Sequence, residues 1–177
     1  MTKHRWKWVA GLSLLLITFV AITVTQPSSW KPLISAQFPG GEWVDGETLS
    51  GWMEGASPEI LVLLDVRTPE EYAMSHLRGA QPVDPSNPNV EGLSIPADAT
   101  VVVYCSIGYR SAAIVEELKD AGIDDVYNLE GGLFDWANRD RPVYRGDKRV
   151  REVHPFNRWW GLLLKRERRA RTSGDDR

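Results

Sequence analysis

The chain of 177 residues contains one cysteine, Cys105. A single thiol excludes an intrachain disulfide and any metal cluster built on cysteines. Histidine is nearly as scarce. His4, His76 and His154 lie far apart, with no ligand-like spacing, so a metal site built from them is not expected. Positive charge is depleted from the middle of the chain. Residues 39–138 carry 18 acidic and four basic residues, whereas residues 1–38 carry four basic and no acidic ones. Residues 139–177 reverse the balance, with 13 basic against six acidic. An acidic body between basic ends argues against nucleic acid as a partner. Apolar content of 42% with 25% charged residues then marks that body as a folded domain rather than a disordered one.

Long hydrophobic runs are also few. The longest, "VAGLSLLLITFVAITV" at residues 9–24, follows a basic start, "MTKHRWKW". A cleavable signal peptide has an apolar stretch of about 7–15 residues, and a spanning helix needs about 17–25. This segment falls between the two. Trp6 and Trp8 lengthen its effective span at the interface, and the best cleavage position, after Ala36, puts Ile34 where a small residue is preferred. The expectation is an uncleaved transmembrane anchor over residues 9–25, with residues 1–8 cytoplasmic and the rest on the exported side of a membrane, or secreted if the segment is cleaved. Residues 26–41, rich in proline and glycine, read as a linker.

Past the linker the periodicity alternates. "GETLSGWMEGA" (46–56) has Leu49, Trp52 and Met53 at helical spacing. "EILVLLDV" (59–66) and "TVVVYC" (100–105) are uninterrupted apolar runs, the pattern of strands buried on both faces. "TPEEYAMSHLRGA" (68–80) opens with Thr68 and Pro69, an N-cap followed by proline in the first turn, and Gly79 suits its end. Residues 84–99 are loop. "SAAIVEELKDAG" (111–122) is a helix, "DVYNL" (125–129) a strand and "GGLFDWANRD" (131–140) a helix. Strand and helix in alternation predict a single α/β domain over residues 42–144, its mostly parallel sheet covered by helices on both faces.

Cys105 ends a strand of that sheet, where open parallel sheets bind their ligands. The loop Ser106, Ile107, Gly108, Tyr109 leads to Arg110 and a helix start whose N–H groups lack helical partners. Gly108 permits a tight curl, Arg110 adds a planar cation, and Ser111 is placed to cap the helix. Such a setting favours the thiolate, the reactive form of a thiol. No histidine or lysine lies within the loop to act as a general base.

"CSIGYRS" resembles the active-site loop of rhodanese-type sulfurtransferases. The resemblance extends to "LLDVRTPEEYAMSHLRGA" (63–80), with Ser75 and Leu77 as departures, and to "LEGGLFDWANRDRPV" (129–143). It implies a rhodanese-like domain and a ping-pong reaction. Cys105 would take the outer sulfur of a small anionic donor such as thiosulfate and, as a persulfide, pass it to a thiol, cyanide or protein acceptor. Ser106, Ile107, Gly108, Tyr109, Arg110 and Ser111 would bind substrate, with Asp65 and Arg67 in support and no cofactor or metal. The loop is one residue shorter than in phosphatases and arsenate reductases of this fold, which favours sulfur over an oxyanion. His76 and Trp136 read as structural residues.

The final stretch, "HPFNRWWGLLLKRERRAR" (154–171), joins an apolar cluster to a basic run. It is too short to span a bilayer. Three readings of this C-terminal extension (145–177) stay open: packing on the domain, binding a partner, or lying at a membrane surface through residues 156–171. The competing class for the whole chain is a binding module at a membrane, with the same fold and incidental catalysis.

Overall fold

The computed structural model describes residues 26–55, 58–89 and 92–172. Its centre is a five-stranded sheet: β1 (Glu42–Val44), β2 (Leu61–Asp65), β3 (Gln81–Pro82), β4 (Thr100–Tyr104) and β5 (Val126–Leu129). The order is β1-β5-β4-β2-β3, and every neighbouring pair runs parallel. The register from Leu61↔Thr100 to Asp65↔Tyr104 brings Asp65 and Cys105 to the same carboxyl edge.

Alternate residues of each strand serve opposite faces. Val62, Leu64, Val101, Val103 and Val126 cluster with Ile114, Val115 and Leu118 of helix α4 (Tyr109–Asp120). Leu63, Val102 and Leu129 belong to the other core. There they meet Leu49 of α2 (Gly46–Met53) and Leu133, Phe134 and Trp136 of α5 (Gly132–Asn138). The double burial read from the valine runs is therefore present, with helices on both sides.

Helix α3 (Pro69–Met74) starts as expected. Thr68 Oγ accepts the Glu71 N–H and the Glu71 carboxylate accepts the Thr68 N–H, a capping box. It ends at Met74 and does not run to residue 80. Ser75 is extended, and His76 exchanges both backbone hydrogen bonds with Tyr144 at 2.8 Å each. Tyr144 lies on β6 (Val143–Arg145), which forms an antiparallel hairpin with β7 (Lys148–Val150). That cross-link diverts the chain before the helix can continue. His76 stacks on Tyr72 at 4.1 Å and is buried, and Trp136 is buried and donates to the Pro142 carbonyl.

The flanks depart further from the linker reading. Pro27–Trp30 is a 3-10 turn and Lys31–Gln37 is helix α1. Both prolines, Pro27 and Pro32, stand in the first turn of their element, where no backbone donor is required. Ile34 is buried, Lys31 pairs with Glu130 at 2.8 Å, and Phe38 packs edge-on against Tyr109 at 5.4 Å. The C-terminal extension also docks. Leu163, Leu164 and Ala170 are buried, Asn138 Nδ2 donates to the Leu163 carbonyl, and Arg168 pairs with Asp140. Among the described residues, no helix is long and apolar enough to cross a membrane. The expected anchor, residues 9–25, lies outside the described residues.

Candidate active site

Cys105 is the first residue beyond β4, and its residue surface is 1% exposed. The chain then curls through Ser106 and Ile107 to Gly108, whose φ of +101° is a left-handed conformation that glycine adopts without a side-chain clash. Space is tight as well. A Cβ at Gly108 would stand 3.1 Å from the Trp43 ring. Gly108 is the N-cap of α4, so the helix begins at Tyr109, two residues earlier than the sequence pattern indicates. Ser111 therefore lies inside the first turn and does not cap it. Its buried hydroxyl donates to Asn128 Oδ1 at 2.7 Å.

The Gly108 N–H donates to Cys105 Sγ at 3.2 Å. Other groups fix the outer side of the curl. Leu133 N–H donates to the Cys105 carbonyl at 2.9 Å and Phe134 N–H to the Ser106 carbonyl at 3.0 Å. Asn128 Nδ2 donates to the Gly108 carbonyl at 2.8 Å. With these carbonyls engaged by α5 and Asn128, the Gly108 amide faces the thiol. Gly132 makes that approach feasible. A Cβ there would sit 2.5 Å from the Cys105 carbonyl and 2.8 Å from the Ile107 nitrogen.

Arg110 and Ser106 meet a residue that the sequence reading left out. Glu71 accepts from Arg110 Nη1 at 2.8 Å, from Arg110 Nη2 at 2.9 Å and from Ser106 Oγ at 2.8 Å. Burial acts to raise the Glu71 carboxyl, but the Arg110 and Ser106 hydrogen bonds outweigh it and hold the group below its ordinary range. Burial likewise opposes the charge on Arg110, while Glu71 and Cys105 raise it above its usual value. The pair stays ionised, and the charge of Arg110 is answered before any ligand arrives. Glu71 also closes the capping box of its own helix. The available signal was a second acidic residue, with Glu70, on a short helix at the ligand edge.

Asp65 and Arg67, expected in a supporting role, pair with each other behind the loop. Arg67 is 1% exposed and binds Asp65 through Nε at 2.9 Å and Nη2 at 2.7 Å. It also donates to the Ser75 carbonyl at 2.5 Å. Burial opposes its charge, and Asp65 raises it above its ordinary value. These residues brace the β2–α3 turn and are absent from the pocket wall. Asn128 was missed as well. Its signal was a polar side chain inside an otherwise buried strand.

Over the loop lies a pocket of about 380 Å³. Cys105, Ser106, Ile107, Tyr109 and Arg110 form its floor and one side, and α1 and the C-terminal extension supply the rest. Tyr109 stands at the mouth, its hydroxyl accepting from Gln37 Nε2 at 2.9 Å. Among the described residues, no group of three His, Cys, Asp or Glu side chains could hold a metal ion. The chemistry available is nucleophilic: one sulfur, an amide donor on it, and a closed ion pair beside it.

This arrangement has known counterparts. A family model for the rhodanese-like domain matches residues 47–139, more than half of the chain. The chain belongs to the rhodanese-like domain family. It is 38% identical over 110 residues to the probable adenylyltransferase/sulfurtransferase MoeZ of Mycobacterium tuberculosis, covering 61% of this chain and 28% of that protein. It is 34% identical over 100 residues to a sulfurtransferase of Allochromatium vinosum, covering 56% of this chain and 92% of that protein. The chain thus spans about a quarter of the first relative and nearly all of the second. Among solved structures, a rhodanese-related protein from Thermoplasma volcanium superposes with a TM-score of 0.52 at 25% identity, covering 59% of this chain and 98% of that one. Fold, loop and relatives agree on the rhodanese-like domain.

Proposed function

We propose that this protein transfers a sulfane sulfur through a persulfide on Cys105. The observation that carries the reading is the Gly108 amide on Cys105 Sγ at a pocket floor, in a loop held open by α5 and Asn128. The Cys105 thiolate attacks the outer sulfur of a donor such as thiosulfate. A bond forms between Sγ and that sulfur, the sulfur–sulfur bond of the donor breaks, and sulfite leaves with the electron pair. Loop amides then stabilise the negative outer sulfur. As the chain has one cysteine, the acceptor is external: cyanide, a small thiol or a protein thiol.

Mass spectrometry after thiosulfate treatment tests this. A gain of about 32 Da, one sulfur atom, on Cys105 and its release by cyanide are expected. Thiosulfate-to-cyanide transfer that survives Cys105→Ser overturns the reading. An unmodified Cys105 in a folded protein favours the binding-module alternative instead.

Residues 9–25 support a further reading, that the domain is held at a membrane with its pocket on the exported side. Carbonate-resistant membrane association of the full chain, lost when residues 1–25 are deleted, is the expected result. Release of the intact chain by carbonate refutes it.

A further inference from the structure

The walls above the loop differ in chemistry from its floor. Trp30, Leu33 and Ile34 come from the segment before β1, and Phe156 and Trp160 from the segment after β7. The two segments meet where Trp30 packs edge-on against Trp160 at 5.3 Å. All five residues lie outside the stretch matched by the family model, so this apolar wall is built on the domain rather than within it. Among the described residues, Arg110 is the one charged residue lining the pocket; Glu71 holds its guanidinium and the Phe156 ring covers it at 5.0 Å. Any group seated here sheds water against indole, phenyl and leucyl surface. An apolar body gains by the same burial. Leu33 and Phe156 remain 66% and 43% exposed at the opening, leaving apolar surface for a ligand to cover. The volume, about 380 Å³, is at the lower end of the small-ligand range and fits an organic molecule rather than a folded partner.

We infer that the acceptor of sulfur from Cys105 is a small organic thiol with an apolar body, seated between Trp30, Leu33 and Ile34 on one side and Phe156 and Trp160 on the other. This rests on the persulfide reading of Cys105. In the transfer, the acceptor sulfur attacks the outer sulfur of the persulfide. The new sulfur–sulfur bond forms as the bond to Cys105 Sγ breaks, and Sγ departs with the electron pair. The thiol proton passes to the transferred sulfur, which leaves as the acceptor's hydropersulfide, so no oxidant or reductant is needed.

The experiment uses the full chain, loaded with sulfur from thiosulfate and mixed with ethanethiol, propanethiol, butanethiol or pentanethiol. These thiols have similar intrinsic reactivity and differ in length. The second-order rate of sulfur loss is expected to rise about twofold to fourfold per methylene, fourfold corresponding to complete burial of each CH₂. Pentanethiol should exceed ethanethiol by about tenfold or more. Leu33→Ser with Phe156→Ser should flatten that slope while the fold persists. A flat series in the unaltered chain, or faster discharge by glutathione than by pentanethiol, overturns the inference. A flat series combined with rapid discharge by a protein thiol would assign the apolar rim to a protein surface and overturn it equally. Failure to load Cys105 at all, by mass, is a separate result that sinks the persulfide reading first. Calorimetric titration of Cys105→Ala with the same thiols keeps the inference testable in that event, since binding should still strengthen with chain length.

Discussion

Cys105 rests on a floor where Glu71, Asn128 and the first turn of α5 answer the polar groups of the loop, whereas the walls above it offer rings and leucine to the opening. The floor lies inside the family match and the walls outside it. The floor works by direction, because each hydrogen bond fixes where a backbone group points. The walls work by area, because burial of apolar surface is non-directional. The residues that hold the loop and those that would select an acceptor therefore share one pocket without being the same residues.

Substitutions should separate the two regions, and the largest effects belong to the floor. Cys105→Ser should abolish transfer while leaving thermal unfolding near its original midpoint, measured by turnover and by calorimetry. Glu71→Ala removes the carboxylate that Arg110 and Ser106 share and leaves the Arg110 charge without its anionic partner beneath the pocket. It should cost about 3 kcal/mol in denaturant unfolding, the low end for a broken buried ion pair because the Arg110 side chain is a quarter exposed. Gly132→Ala drives a Cβ into the Cys105 carbonyl and must hold a positive φ. A loss of about 2 kcal/mol is expected, with turnover falling further than stability explains. Asn128→Ala should cost about 1–3 kcal/mol by stranding the buried Ser111 hydroxyl and freeing the Gly108 carbonyl. Leu33→Ser, at the exposed rim, should move stability by no more than about 0.5 kcal/mol and register in thiol selectivity.

The pH dependence sharpens the contrast. The Glu71 carboxyl is held below its ordinary value of 4.5, so the folded protein keeps it ionised where the unfolded chain would protonate it. Its contribution to stability is complete above that value and is lost as the pH falls through the lower, folded-state value. The stability gap between the unaltered chain and Glu71→Gln should therefore narrow in acid and hold constant near neutrality. A gap that widened in acid would contradict the ionised pair.

The Cys105 loop was legible because its signals are local: a valine run, a cysteine at its end, then glycine and arginine at short spacing. Its support was not. Glu71 lies 39 positions from Arg110, too far for any local pattern to join them. Asn128 sits in a short strand whose burial depends on β4 beside it. Proline misled at the N-terminal flank, since Pro32 opens α1 and does not break it. The aromatic tail carried enough apolar surface for packing or a membrane, and only the partner surface decides between such readings. Leu163 and Leu164 turn inward while Trp159 stays 76% exposed.

The two N–H groups that α5 lends to the carbonyls of Cys105 and Ser106 have a consequence for turnover. Peptide planes clamped from behind cannot swing when an extra atom arrives in front. The empty and laden states should then share one backbone, and catalysis would proceed in a seat already shaped for its passenger, with traffic through the hydrophobic antechamber as the step left to govern speed.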